Sequence, residues 1–236
     1  MKRLFTRLVT VVSAVVLSGS VVGQSCTPDV TPPGIAACPT TPQNFVTNTG
    51  CTYVHSGASL DPSGLSDNCM LVPNARYNLS GATSGTAVNQ SLNGKVFNKG
   101  TTTVLWTVYD NATPANESYC VVIVNVTDAT PPTITCGASG VQNVFADLGE
   151  CNFTKLGTSW DPSAFGDNCS VASVRCSLTG ATVASNLTTL NNVDFNLGTT
   201  TVTWTVTDGG IGATPTPANT TTCSFTVTVA DNQAPN

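Results

Sequence analysis

The sequence predicts an all-β chain made of two Greek-key β-sandwiches in tandem. Three observations lead there. The chain repeats itself once, at a spacing of about 100 residues, which is the size of one small β domain rather than of a solenoid unit. The longest repeated stretch alternates apolar and polar residues with a period of two. After the N-terminal leader, no helical period runs beyond two turns.

The repeat is carried by several matched segments. DVTPP (29–33) returns as DATPP (128–132), and LDPSGLSDNC (60–69) as WDPSAFGDNC (160–169). NLSGAT (78–83) returns as SLTGAT (177–182), and VFNKGTTTVLWTVYD (96–110) as DFNLGTTTVTWTVTD (194–208). TPAN and a following cysteine then recur, at 113–116 with Cys120 and at 216–219 with Cys223. In 201–207 the apolar Val202, Trp204 and Val206 alternate with threonines, the pattern of a half-buried strand. Val104, Trp106 and Val108 hold the same inward face in the first copy. The last strand of each copy places Cys120, Val122, Val124 and Val126, or Cys223, Phe225, Val227 and Val229, on one side. Gly, Pro, Asn and Asp clusters between these runs supply the turns.

Residues 1–23 read as a signal peptide: Lys2, Arg3 and Arg7 precede a ten-residue apolar core from Leu8 to Leu17, followed by small residues. That core is shorter than the roughly 20 residues of a membrane-spanning helix, and no later stretch approaches such a length. The expected organisation is a leader at 1–23, a linker at 24–30, repeat one at 31–128 and repeat two at 129–231. Residues 232–236 are the start of a possible third repeat or a short tail, since Asp231 aligns with Asp29 and Asp128. Export places the mature chain outside the cell or at its surface.

Composition excludes several functions. Only 9% of the 236 residues are charged, and eight Lys and Arg, three of them in the leader, face 13 Asp and Glu. A nucleic-acid backbone needs clustered cations, so no nucleic acid is expected as a partner. The single histidine, His55, has no nucleophile and buried acid beside it in the sequence pattern and is expected at the surface; no catalytic residue is expected, and the chain is read as a non-enzyme.

Ten cysteines in an exported chain point to disulfides, and no Cys-x₂₋₄-Cys pair exists for a zinc site. Eight recur in register: Cys38, Cys51, Cys69 and Cys120 against Cys136, Cys151, Cys169 and Cys223. Four cysteines allow three pairings within a copy. The nested one is expected, because the outermost two lie in the first and last strands with inward faces: it joins Cys38–Cys120 and Cys136–Cys223, and closes the Pro-containing loop with Cys51–Cys69 and Cys151–Cys169. Cys26 and Cys176 have no counterparts and are expected to be unpaired or to bridge between chains.

With these residues in place, the chain resembles the HYR (hyalin repeat) family of extracellular modules. It shares an Asp-x-x-Pro-Pro start (Asp29, Pro32, Pro33; Asp128, Pro131, Pro132), the early Cys38 and Cys136, the Phe-x-x-Gly-Thr-Thr-Thr-Val strand opening at Phe97 and Phe195, and the closing Cys-x-Φ-x-Val-x-Val at Cys120 and Cys223 (Φ, apolar). The resemblance covers about 29–230 and implies an immunoglobulin-like sandwich serving adhesion or extracellular matrix structure. The last loop departs from the family pattern, as DNATPANES (110–118) in copy one and as the longer DGGIGATPTPANTTT (208–222) in copy two.

Nine of the 13 acids recur, and turn capping through their own backbone accounts for them. The sharper alternative is calcium between domains, held by Asp110 with Asp128, or by Asp208 with Asp231; no other cofactor is expected. One asymmetry bears on partners. Leu105, Tyr109, Val121 and Ile123 stand on the outward face of copy one, where copy two has Thr203, Thr207, Ser224 and Thr226. An apolar patch of that kind marks a contact surface, whether for an extracellular protein, a glycan or neighbouring copies of the chain. The other functional reading is a carbohydrate-binding or spacer module of a longer secreted enzyme, which would rest on an exposed Trp160.

Overall fold

A computed structural model describes residues 28–39, 42–69, 74–209 and 218–234. The leader and Cys26 lie outside them. Among the described residues there are 18 strands and no helix, and so no helix long and apolar enough to cross a membrane.

Module one contains β1 (Gly34–Ala37), β2 (Gln43–Val46), β3 (Thr52–Val54), β4 (Ser63–Ser66), β5 (Asn74–Gly81), β6 (Gly85–Val88), β7 (Val96–Asn98), β8 (Gly100–Tyr109) and β9 (Glu117–Thr127). Module two repeats them as β10 (Thr133–Thr135), β11 (Val141–Phe145), β12 (Asn152–Lys155), β13 (Ala164–Gly166), β14 (Val171–Gly180), β15 (Ala184–Leu187), β16 (Val193–Asn196), β17 (Gly198–Asp208) and β18 (Thr220–Ala230). Each module pairs a five-stranded sheet, β2-β9-β8-β5-β6 or β11-β18-β17-β14-β15, with two short antiparallel ribbons, β1-β4 and β3-β7 or β10-β13 and β12-β16. The first strand of each large sheet runs parallel to the last strand of its module. This is an immunoglobulin-like sandwich built twice.

The alternation read from the sequence sets the layers. Val104, Trp106, Val122, Val124 and Val126 face inward and meet Leu60, Leu92 and Phe97 from the ribbon side. In module two Val202, Trp204, Phe225, Val227 and Val229 meet Trp160, Leu190 and Phe195. The two inner tryptophans lie opposite the cysteines of the last strands, Trp106 with Cys120 and Trp204 with Cys223. Each buried indole N–H donates to a main-chain carbonyl, Trp106 Nε1 to Leu60 O at 3.0 Å and Trp204 Nε1 to Trp160 O at 3.1 Å, which removes the cost of burying a lone donor. A buried threonine is repeated as well: Thr102 Oγ1 accepts from Thr83 N–H at 3.1 Å, and Thr200 Oγ1 from Thr182 N–H at 3.0 Å.

Glycine is required where β5 and β14 end. Gly81 and Gly180 have φ of 96° and 106°, and a Cβ at either would stand 2.4 Å from the carbonyl oxygen of Thr101 or Thr199. The left-handed backbone and the close approach exclude any other residue without rearrangement.

Two expectations about single side chains are corrected by the packing. His55 is 2% exposed rather than at the surface, and its counterpart Lys155 is also buried, so this position belongs to the repeated framework. Lys155 Nζ is held by the carbonyls of Leu156 and Gly157 and stands 5.2 Å from the Trp160 ring centroid. Where copy two has that tryptophan, copy one has Leu60, and an imidazole replaces the ammonium. Trp160, the aromatic on which a carbohydrate site would rest, is 8% exposed and packs edge-on to Phe195 and Phe225.

Candidate functional site: the module junction and the outward sheet face

The recurrent aspartates cap turns. Asp29, Asp128 and Asp231 each accept from the main-chain N–H two residues on, at 3.1, 3.1 and 2.8 Å. Asp67 and Asp167 accept from the N–H of Cys69 and Cys169, at 3.0 and 2.8 Å. Asp61 and Asp161 reach across to Leu92 and Leu190 N–H, at 2.9 and 2.8 Å. Asp110 is buried at the start of its loop; burial raises its pKa, but hydrogen bonds from the Asn116 side chain and from the Asn116 and Ala112 N–H groups outweigh that and hold the carboxyl below its ordinary value.

These bonds also place the ends of each module, and the placement corrects the calcium grouping. Asn116 Nδ2 bridges Asp110 Oδ2, at 2.8 Å, to the carbonyl of Asp29, at 3.2 Å, so Asp110 belongs with the start of module one. Asn219 Nδ2 likewise bridges Asp208 Oδ2 to the carbonyl of Asp128, at the start of module two. Asp110 and Asp128 therefore stand at opposite ends of one sandwich, as do Asp208 and Asp231. Strands β8 and β17 run away from the exit of their module, which is why the sequence neighbours across a loop are not the spatial neighbours across a junction. The carboxylates that do converge at the junction are Asp128 and Asp167, beside the sulfur of Cys169, which is engaged in a disulfide.

The disulfides differ from the nested scheme in one respect. Cys38–Cys120 and Cys136–Cys223 join the first and last strands of each module, with Cα separations of 6.1 and 5.9 Å. Cys51, however, bridges to Cys169 across the two modules, with a Cα separation of 4.5 Å. Cys69 is also disulfide-bonded, and Cys151 is free and exposed. The expected Cys51–Cys69 and Cys151–Cys169 loops do not form because the two cysteines lie at opposite ends of the sandwich. Cys51 sits in the β2–β3 turn at the exit, whereas Cys69 lies within 4.8 Å of Asp29 at the start.

Around Cys51–Cys169 the junction is closed by polar contacts. Asn168 Nδ2 donates to the carbonyl of Gly50 at 3.0 Å and to Asp128 Oδ1 at 3.3 Å. Thr47 Oγ1 donates to the same aspartate at 3.4 Å, and Lys99 Nζ donates to the carbonyl of Gly209 at 2.8 Å. A covalent link flanked by these polar contacts restrains the angle between the sandwiches.

Cys176 is unpaired, and its burial rules out the alternative of a bridge between chains. It is 1% exposed, opposite Trp204 on β17, and takes the place that Tyr77 fills in module one. Burial, reinforced by the Asp161 charge, pushes its thiol up to about 12, so it is a small core residue without thiolate character.

The outward face of module one's large sheet carries the apolar residues in part as a group. Leu105 and Val121 are directly paired across β8 and β9, with Ile123 one step along the same face. Tyr109 lies apart from them: Arg76 stands 5.4 Å over its ring and pairs with Glu117 at 2.8 Å. Tyr119, 61% exposed, joins the patch instead, its hydroxyl donating to Glu117 at 2.6 Å. The sequence analysis singled out this face but passed over Tyr119, although its contrast with the aligned Thr222 is the same as that of Tyr109 with Thr207 and period two already puts it beside Val121. In module two the equivalent pairs are Thr203 with Ser224 and Thr201 with Thr226.

Clefts on module one have volumes of about 210, 300 and 320 Å³: the first is lined by Asp61, Leu65, Ser91 and Trp106, the second by Arg76, Tyr77 and Thr86, and the third by Pro39, Ser59, Asp61 and Ser63. In the first, Ser91 Oγ donates to Asp61 Oδ2, and the same carboxylate also accepts from Leu92 N–H, so Asp61 serves there as a turn cap. His55 is buried with both ring nitrogens unpartnered.

No family model matches this chain, and no curated protein matches it either. Solved structures similar to it include extracellular cadherin domains 1–5 of Protocadherin Gamma B2, at 14% identity over 86% of this chain and 41% of that one, with a TM-score of 0.31. Drosophila N-cadherin EC1-4 is 14% identical over 85% of this chain and 50% of that one, with a TM-score of 0.34. Mouse Cadherin-23 EC22-24 is 18% identical over 85% and 65%, with a TM-score of 0.31. The chain spans less than two thirds of each. These likenesses are too distant to carry a site or a function to this chain.

Proposed function

We propose that this chain is a secreted, non-catalytic tandem module of the hyalin-repeat kind, with repeats at 31–128 and 129–231, serving adhesion at cell surfaces or the build of an extracellular matrix. The observation that carries the reading is the difference between the two outward sheet faces: Leu105, Val121, Ile123 and Tyr119 on module one stand where module two has only Thr and Ser. A sheet face that needed only to be wet would be threonine in both modules. Its partner is a second copy of the chain, face to face. The carbohydrate reading lacks support because Trp160 is inside the core.

The test is sedimentation velocity over a range of concentrations with Leu105→Thr and Val121→Thr combined. Burying one Leu- or Val-sized side chain is worth about 1.5 kcal/mol or more, so the pair should weaken self-association at least tenfold without loss of fold. Equal sedimentation of the variant and the parent at every concentration would remove the proposal.

A further inference from the structure

We propose that the exposed Cys151 is the exit half of a second inter-module clasp, made for the Asp-Asn-Cys turn of a further sandwich that enters from residue 231. The proposal is independent of the contact face on module one.

The structure contains the clasp once in finished form. At the exit of module one, the turn between β2 and β3 presents Cys51, and the Asp-Asn-Cys turn of the next module presents Cys169; the two are bonded. At the exit of module two, the turn between β11 and β12 presents Cys151 at the same place, exposed and free. The turns are built alike. Asn48 accepts from Val54 N–H at 2.8 Å in the first, and Asp147 accepts from Thr154 N–H at 2.9 Å in the second. Both Asp-Asn-Cys cysteines, Cys69 and Cys169, are already bonded, so neither is the missing partner for Cys151.

A second observation comes from the segment that follows β18. Asp231 caps Gln233 N–H at 2.8 Å, the same bond that Asp29 and Asp128 make where modules one and two begin. That segment is docked on the Cys151 turn: Gln233 Nε2 donates to Asp147 O at 2.9 Å, and Gly149 N–H donates to Gln233 Oε1 at 2.8 Å. The lead-in of a next module is thus formed and seated where Asp128 sits against Thr47 at the closed junction. Leu148, three residues before Cys151 in the same turn, is 93% exposed. An uncovered leucine and a free thiol in one turn are the surface expected of a junction with one side open.

Closing the bond converts two thiols to a disulfide, releasing two protons and two electrons. A low-molecular-weight disulfide such as oxidised glutathione takes the electrons and becomes two thiols.

The experiment extends the full chain by repeating residues 134–236 after Asn236, which keeps Asp231 in the register of Asp128. In the parent chain, a maleimide applied without denaturant should label Cys151 and spare Cys176. In the extended chain, refolded with oxidised and reduced glutathione, non-reducing peptide mapping should link Cys151 to the added copy of Cys169, and labelling should move to the added copy of Cys151. A second extension carrying residues 35–128 after Asn236 offers the same turn on the other sandwich. Folding of the added module is read in each case from its own first-to-last-strand disulfide. Cys151 still labelled in an extended chain whose added module is folded would overturn the proposal.

Discussion

The two modules share an interior almost residue for residue and differ on the outside. Phe97 and Phe195, Leu92 and Leu190, and Trp106 and Trp204 fill matching places, all essentially without exposure, whereas Leu105 faces out where Thr203 does. Packing at close to crystal density leaves an inward side chain few substitutes, and an outward strand position tolerates most β-branched or apolar residues. A change that persists between copies on the outside therefore reports on what touches the surface. A change on the inside comes with a compensating neighbour. Tyr77 for Cys176 and Leu60 for Trp160 are of that second sort, since the ring on one strand of module one is replaced by a ring on a loop of module two.

The largest test of this comparison is Trp204→Ala. It empties a fully buried ring and leaves the Trp160 carbonyl without its donor, at an expected cost of about 3–5 kcal/mol. Urea unfolding should show module two melting early while module one holds its midpoint; a single common shift would mean that the clasp fuses the modules into one cooperative unit.

A smaller effect separates His55 from Lys155. Burial lowers the His55 pKa, against the opposing pull of Asp61. The folded chain thus binds fewer protons than the unfolded chain just below the unfolded value of about 6.5. Stability is full above that value and falls as the pH drops from there toward the folded pKa. Thermal scans from pH 7.5 to 5 should show module one losing stability in that window, with the loss diminished in His55→Gln. An unchanged slope in the variant would assign the loss to other groups.

The smallest expected change within the sandwiches themselves comes from replacing both Cys51 and Cys169 by Ser. Each module keeps its own Cys38–Cys120 or Cys136–Cys223 bridge and so its fold, whereas the lost bridge spans 118 residues and is worth about 5 kcal/mol on the chain-entropy account, so the unfolding midpoints should fall. Small-angle scattering of the folded variant should show a broader distribution of inter-module angles. An unaltered distribution would mean that the Asn168 and Lys99 contacts alone hold the junction.

Much of the strand pattern was legible in the residues. Alternation of Val202, Trp204 and Val206 with threonine placed each side chain on its face, because period two is a property of the extended backbone and needs no tertiary information. The turn-capping role of the aspartates was legible for the same reason: Asp29, Asp128 and Asp167 bond main-chain groups two residues away. The burial of His55 was not legible. A polar residue just past the end of a short strand reads as outward unless its neighbours across the sandwich are known. Tyr119 was legible, since it alternates outward with Val121 and Ile123 on the last strand, and was passed over.

The sequence by itself determined the two-fold repetition, the strands, their inward faces and the first-to-last-strand bridges of each module, all of which follow from local period and from position within a single copy. Only the tertiary structure decided that Cys51 belongs with Cys169 and that Asp128 belongs with Asp167. In a repeated chain, equivalent residues carry identical local signals. Which copy supplies the partner depends on which end of the sandwich each loop reaches, and strand direction sets that over tens of ångströms.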